Sequence, residues 1–322
     1  MGILSKYWAT LRRVKLLHVL YNIRNYSALK GNKKLYQEYG IRKSVVGSIS
    51  HKSISKPAKE EPWLDQPDAA QRIIQHPNWK TFDQATHEQL LKWSEMGYVI
   101  LPHFFANEVD QINKELDGIL ENKSLDFDYT NSRIMDAWQA SPAIQKIARH
   151  PEMIRILSFL LGKKVIPFQT INFFKGSEQE THSDFIHMTT EPKGFLVAAW
   201  IALEDIGFDQ GPLHYYPGSH KLPYVLGEDF EHASTPWSVG EDLYANFEKK
   251  IHEKVVENNL TKQTFHAKKG DVLFWHANLL HGGEEVQNPE SSRKSLVIHF
   301  FCEGNVLCYH EISQRPAIIR EI

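Results

Sequence analysis

Apolar positions along this chain recur with one period before about residue 164 and another after it. In ANEVDQINKELDGILEN, 106–122, Val109, Ile112, Leu116 and Ile119 fall three or four apart, which predicts a helix with one buried face. The preceding stretch THEQLLKWSEMGYVILPHFF, 86–105, reads as a helix, a stop at Gly97 and a short strand YVILP. SPAIQKIARH and PEMIRILSFLLGKK, spanning 141–164, give two more short helices, each with proline near its start and the second closed by Gly162.

After residue 164 the segments shorten and fill with Val, Ile, Phe, Tyr and Trp. KVIPFQTINFFKG, GFLVAAWIALED, GPLHYYPGS, KQTFHAKKGDVLFWHAN and RKSLVIHFFCEG are bounded by Gly, Pro and Asp turns and read as strands. Helices first and many short strands afterwards predict a mainly β fold, a sandwich or barrel with a helical flank. The segment 225–262 is acidic and lysine-rich with few strand formers, the texture of an insertion between strands.

Composition adds three limits. With 42% hydrophobic and 24% charged residues in 322, the chain is of the soluble globular type. The longest apolar run, FLVAAWIAL at 195–203, is too short for a membrane-spanning helix. Two cysteines, Cys302 and Cys308, make neither a disulfide framework nor a zinc-knuckle pattern, and a reducing cytoplasm is the expected compartment.

Charge divides the chain. Residues 1–59 carry thirteen Lys or Arg and one acid, Glu38, a net of +12 against −14 for the remainder. Residues 1–62 are therefore expected to be a basic arm, a helix followed by the flexible tail GSISHKSISKPAKEEP, ahead of a domain over 63–322. The arm lacks a clear signal-peptide cleavage site, and Lys6 stands where a myristoylation signal needs Ser or Thr. Two roles fit a basic amphipathic helix: docking on the acidic remainder, or lying on an anionic membrane surface with Trp8, Leu11 and Leu16 toward lipid. No aromatic stacking module or groove-reading motif accompanies the charge, so nucleic acid is not an expected partner.

The densest chemistry lies in THSDFIHM, 181–188. In a strand, His182 and Asp184 share a face. Seventeen His and 39 acids make roughly two His-x-acid pairs by chance, so the pair needs a further ligand. His187 falls on the opposite parity. His281, in GDVLFWHANLLHGG, follows a buried strand and precedes two glycines that let backbone approach closely. Two His and one carboxylate with open positions suit a non-heme Fe(II) oxygenase, and zinc could occupy the same set. Arg293 begins the strand RKSLVIHF, and an antiparallel return would bring its planar fork back beside the metal, where it would suit a carboxylate co-substrate.

The ordered blocks GYVILPHFF, THSDF, AAWIALEDIGFDQGPLHYYPGSHK, KKGDVLFWHANLLHGG and RKS resemble the phytanoyl-CoA dioxygenase family of Fe(II)/2-oxoglutarate oxygenases, over roughly residues 85–302. The resemblance implies a double-stranded β-helix, or jelly-roll, core with flanking helices. It implies Fe(II) on His182, Asp184 and His281, and the distal carboxylate of 2-oxoglutarate on Arg293. Arg133, in NSRIMDAW, resembles a basic position that reaches co-substrate or substrate in some members, and Trp200 would wall the pocket. Gly283 stands where many members carry Ser, so one co-substrate hydrogen bond is expected to be missing or replaced.

The activity implied is O2-dependent hydroxylation of an unactivated C–H bond in a small-molecule or lipid-like substrate, coupled to decarboxylation of 2-oxoglutarate. Retention of Asp184 favours hydroxylation over halogenation. His187, Phe185, Phe174 and Tyr216 are candidate pocket residues, and the PGSH turn at 217–220 is expected to shape the fold. The competing readings are a catalytically silent jelly-roll binding protein and a zinc-dependent hydrolase on the same scaffold.

Overall fold

A computed structural model describes residues 13–125 and 132–322. Twelve strands are assigned: β1 (Tyr98–Leu101), β2 (Arg133–Met135), β3 (Val165–Phe173), β4 (Thr189–Glu191), β5 (Leu196–Ala202), β6 (Leu213–Tyr215), β7 (Gln263–Phe265), β8 (Val272–His276), β9 (His281–Gly283), β10 (Ser295–Cys302), β11 (Leu307–His310) and β12 (Arg315–Pro316). Six form an antiparallel sheet in the order β1-β8-β5-β10-β3-β2. A smaller sheet, β7-β6-β9, faces it and is extended by a bridge between His182 and His281. β12-β11-β4 make a third. The core is a jelly roll with helices on its outer face.

Strand parity explains how the sequence builds two cores from one sheet. Along β5, Ala198, Trp200 and Ala202 point between the two sheets and pack with Leu213, Tyr215, Phe265, Leu273 and Trp275. The alternate residues Val197, Ala199 and Ile201 face the helical layer and meet Val109, Ile112, Leu116 and Ile156. Both faces are covered, so β5 is buried at every position, and this is why the run FLVAAWIAL shows no alternation. The helical layer follows the predicted pattern. Val109–Asn122 buries Val109, Ile112, Leu116 and Ile119, each worth roughly 1.5–3 kcal/mol against exposure. Pro142–Ala148 and Pro151–Leu161 both begin on proline, and the second ends on a left-handed Gly162.

Two expectations change, the first and the third, and the second gains a helix. The tail of the arm is packed rather than flexible: Ile49 is buried, His51–Ser53 forms a capped turn, and Ala58 N–H donates to Glu191. Together Leu29, Tyr36, Tyr39, Ile41, Val45 and Ile49 cover Leu307 and Tyr309. Apolar residues at these positions, not the net charge, decide that residues 29–58 belong to the body of the protein. Second, 225–262 lies between β6 and β7 and holds a helix, Leu243–Glu257, whose Leu243, Phe247 and Ile251 pack with Ile186 and Leu280. Third, THSDF is not a regular strand. His182 makes a lone bridge, and Asp184 opens a 3-10 turn through Ile186. Trp8 and Leu11 lie outside the described residues.

Candidate metal centre

His182 and His281 face each other across their bridge, each giving its N–H to the other's carbonyl at 2.9 Å. Their rings lie 4.5 Å apart. Each imidazole is oriented in the same way: His182 Nδ1 meets the Glu180 carbonyl at 2.8 Å and His281 Nδ1 meets the Leu279 carbonyl at 2.9 Å. A carbonyl only accepts, so Nδ1 carries the proton and Nε2 presents a bare lone pair. Burial lowers both pKa values, His182 to about 4. Both rings are therefore neutral ligands at neutral pH.

Asp184 supplies the third donor because the 3-10 turn swings it under the two rings. Its Oδ1 lies 3.8 Å from His182 Nε2 and 3.7 Å from His281 Nε2. Its Oδ2 accepts from Trp275 Nε1 at 2.7 Å and has His299 Nε2 at 3.4 Å. Burial alone would raise its pKa, but the surrounding His281, His299 and His182 hold it well below the usual carboxylate range. One oxygen is tied back and the other is left for an ion. Among the described residues this is the one group of three whose ligand atoms all lie within 4.8 Å of one another.

The triad opens on a cavity of about 430 Å³, mouth included, which Trp200, Trp275, Arg293 and His299 also line. Arg293 sits two residues before β10, where its N–H pairs with the Phe174 carbonyl at 3.0 Å. It is 2% exposed, its Nε has no hydrogen-bond partner, and no carboxylate pairs with it among the described residues. Burial lowers its pKa to about 10, yet it stays charged at neutral pH. A buried, unpaired guanidinium is costly unless an anion meets it. The donor set and this cation fit a divalent ion beside an anionic chelator.

Gly283 has a specific neighbour. A Cβ placed there would come 2.6 Å from Ser177 Oγ, and one at Gly282 would strike the Gln179 carbonyl and the His214 ring. A hydroxyl does stand beside position 283, but Ser177 brings it from the loop after β3. Trp200 is both core and wall, 1% exposed within the inner cluster while lining the cavity. Arg133 stands beside the cavity instead of lining it; its guanidinium and that of Arg293 both lie over the Phe173 ring, at 5.8 and 5.4 Å. His187 lies 6.2 Å from the His182 ring and 5.2 Å from Tyr244 of the insertion helix. Phe185 is fully buried in the core against Tyr224, and Phe174 and Tyr216 pack on core clusters; none of the three lines the cavity. His220 is a structural histidine pressed under Gly97.

Four residues escaped the sequence reading: Trp275, His299, Ser177 and Gln179. Gln179 places its amide 3.1 Å from both His182 Nε2 and Tyr244 Oη. Parity would have found two of the four. Trp275 shares a face with Leu273 on β8, and His299 shares one with Val297 and Arg293. The register of β10 shifts after His299, a bulge that ends this alternation beside the site.

A model of the family described as phytanoyl-CoA dioxygenase matches residues 93–295. Bovine peroxisomal phytanoyl-CoA dioxygenase (Bos taurus) is 22% identical over 238 residues, covering 66% of this chain and 67% of that protein. The human enzyme (Homo sapiens) is 26% identical over 158 residues, and the match spans 47% of this chain and under half, 43%, of that protein. Among solved structures, the non-heme alpha ketoglutarate dependent carbocyclase SnoK from nogalamycin biosynthesis superposes with a TM-score of 0.57 at 20% identity. That match covers 74% of this chain and 89% of the other. EctD from S. alaskensis, solved with 2-oxoglutarate and 5-hydroxyectoine, superposes at 0.53 with 19% identity, over 75% and 89%. At these identities the structural likeness establishes the fold.

Proposed function

The chain belongs to the phytanoyl-CoA dioxygenase family, a family of Fe(II)- and 2-oxoglutarate-dependent oxygenases, and we propose that it hydroxylates an unactivated C–H bond of a small-molecule or lipid-like substrate in the His182–Asp184–His281 cavity. One observation carries this reading. Two imidazoles with Nδ1 pinned to carbonyls and one free carboxylate oxygen converge on the side of a cavity where a buried arginine has no anionic partner among the described residues.

His182, Asp184 and His281 would hold Fe(II), and Arg293 would hold the distal carboxylate of 2-oxoglutarate. When bound, the pair supplies activation of O2 coupled to oxidative decarboxylation of the co-substrate. The chain's own residues have three tasks. Trp275 and His299 fix Asp184 so that one oxygen faces the ion. Ser177 offers the hydroxyl that Gly283 lacks. Trp200, Phe173, Leu213 and Val297 give the cavity an apolar wall that limits water. Asp184 occupies the position that a halide would need, which favours hydroxylation.

The test is succinate release. Wild type should form succinate only with both Fe(II) and 2-oxoglutarate, and Asp184→Ala should be silent. Turnover without O2 would instead identify a hydrolase, and failure to take up metal anaerobically would identify a binding protein.

A further inference from the structure

The helix Lys15–Arg24 is built inside out. Its inward face is polar: Lys15 and Asn22 are 8% and 2% exposed. Lys15 Nζ donates to the Thr235 carbonyl at 2.7 Å and to Gln314 Oε1 at 2.6 Å, and Asn22 Nδ2 donates to the Val46 carbonyl at 3.0 Å. Its outward face is apolar. Leu16, Leu17, Leu20, Tyr21 and Ile23 are all between 40% and 60% exposed. A surface helix with only water outside shows the reverse pattern.

A second element extends this face. Residues 13–15 pair with 237–239, with Lys15 N–H donating to the Trp237 carbonyl at 2.9 Å and Val239 N–H to the Arg13 carbonyl at 2.8 Å. Trp237, 79% exposed, is thereby fixed beside the start of the helix. At the other end stands exposed Tyr26, with Lys33 Nζ 5.6 Å from its ring centroid. The rim is basic. Arg24, Lys30, Lys33, Lys34 and Arg42 are exposed, and Glu38 is the only acid in 13–59.

We propose that this face is a docking surface for an anionic lipid bilayer, with the helix lying in the interface plane. A leucine and isoleucine wedge, Trp and Tyr at its two ends and a cationic border are the chemistry of an interfacial helix. No helix among the described residues is long and apolar enough to cross a membrane, so the contact is peripheral. A protein groove would need no positive border; Glu241 meets Arg13 at 2.8 Å beside Trp237, but no carboxylate forms an ion pair with Arg24, Lys30, Lys33, Lys34 or Arg42 among the described residues.

The experiment is co-sedimentation of the full chain with phosphatidylcholine vesicles, with and without phosphatidylglycerol. Wild type should pellet with the anionic vesicles, and added salt should release it. Leu16→Ser, Leu20→Ser and Ile23→Ser combined should weaken binding by at least ~100-fold. Lys30→Glu, Lys33→Glu and Lys34→Glu combined should remove the preference for phosphatidylglycerol, at ~5-fold or more per residue. All six side chains are solvent-facing, and an unchanged thermal midpoint checks folding. Wild type remaining in the supernatant, or the apolar triple variant pelleting undiminished, overturns the proposal. A wild-type dimer in light scattering that the triple variant converts to monomer assigns the face to a second copy instead. None of these outcomes depends on turnover, so they are distinct from failure of the oxygenase reading.

Discussion

Replacing Arg293 with methionine should stabilise the ligand-free protein while removing its response to 2-oxoglutarate. The guanidinium is 2% exposed and has no ion pair among the described residues. Burial lowers its pKa from 12.5 to about 10, which corresponds to about 3 kcal/mol against the charged form. That cost is relieved only as pH rises through the folded-state value, so it is present in full at neutral pH. Methionine keeps most of the volume and forfeits the contact with the Phe173 ring at 5.4 Å, worth about 1 kcal/mol. The net gain is about 2 kcal/mol. With an unfolding entropy near 2 cal/mol/K per residue, the 322-residue chain should gain roughly 3 °C in melting temperature. With metal present throughout, adding 2-oxoglutarate at about 100 times its Kd should stabilise wild type by about 2.7 kcal/mol, roughly 4 °C, and should add nothing to Arg293→Met. Differential scanning fluorimetry with and without ligand reads both arms. A variant that melts several degrees lower without ligand, or that 2-oxoglutarate still stabilises, refutes the reasoning.

Other outcomes follow from the same geometry. Trp275→Phe removes the donor to Asp184 Oδ2 and should weaken metal binding by about 10–100-fold in an anaerobic titration; unchanged affinity would mean His299 suffices. Ser177→Ala should raise the Kd for 2-oxoglutarate about 5-fold, the effect of one lost hydrogen bond, with metal affinity unaffected. Gly97→Ala should destabilise the fold by several kcal/mol in a denaturant titration, because Gly97 holds φ +77° and its new Cβ would lie 2.4 Å from His220 Nδ1. Burial, aided by His276, holds His220 down at about 3 against 6.5. Between those values the unfolded chain takes up a proton that the folded chain refuses. Stability is therefore complete above pH 6.5 and falls as pH drops, by about 3 kcal/mol near pH 4.5 from this residue alone. A flat melting temperature across that window would contradict the assignment.

What could be read in the sequence was what depends on local periodicity. Val109, Ile112, Leu116 and Ile119 mark their helix face without help, and Gly97 and Gly162 end their helices in the left-handed conformation expected of them. The jelly roll was legible from short aromatic-rich strands and from the family resemblance together. What was not legible depends on distant segments meeting. Nothing local in HSD reveals a 3-10 turn, because the bridge to His281 sets it. Ser177 lies within the loop Gly176–Glu180, among neighbours that look like ordinary solvent-facing polar residues, and only the closeness of Gly283 gives it a task. The charge of the arm misled in one respect, since its tail is packed: Ile49 is buried with five earlier apolar side chains of the arm, and His51 and Glu60 pair with Glu311 and Lys163 of the body. The helix in the arm was expected, with Leu16 on its outer face; what was not legible is that Lys15 and Asn22 turn inward beneath it.

The central claim is that His182, Asp184 and His281 form one metal site, and anaerobic titration of the apo-protein with Fe(II) tests it most directly. The account predicts one ion per chain, with affinity reduced at least ~100-fold in His281→Ala and in Asp184→Ala while both variants keep the wild-type circular dichroism. Uptake of Fe(II) by those folded variants at wild-type affinity would contradict it.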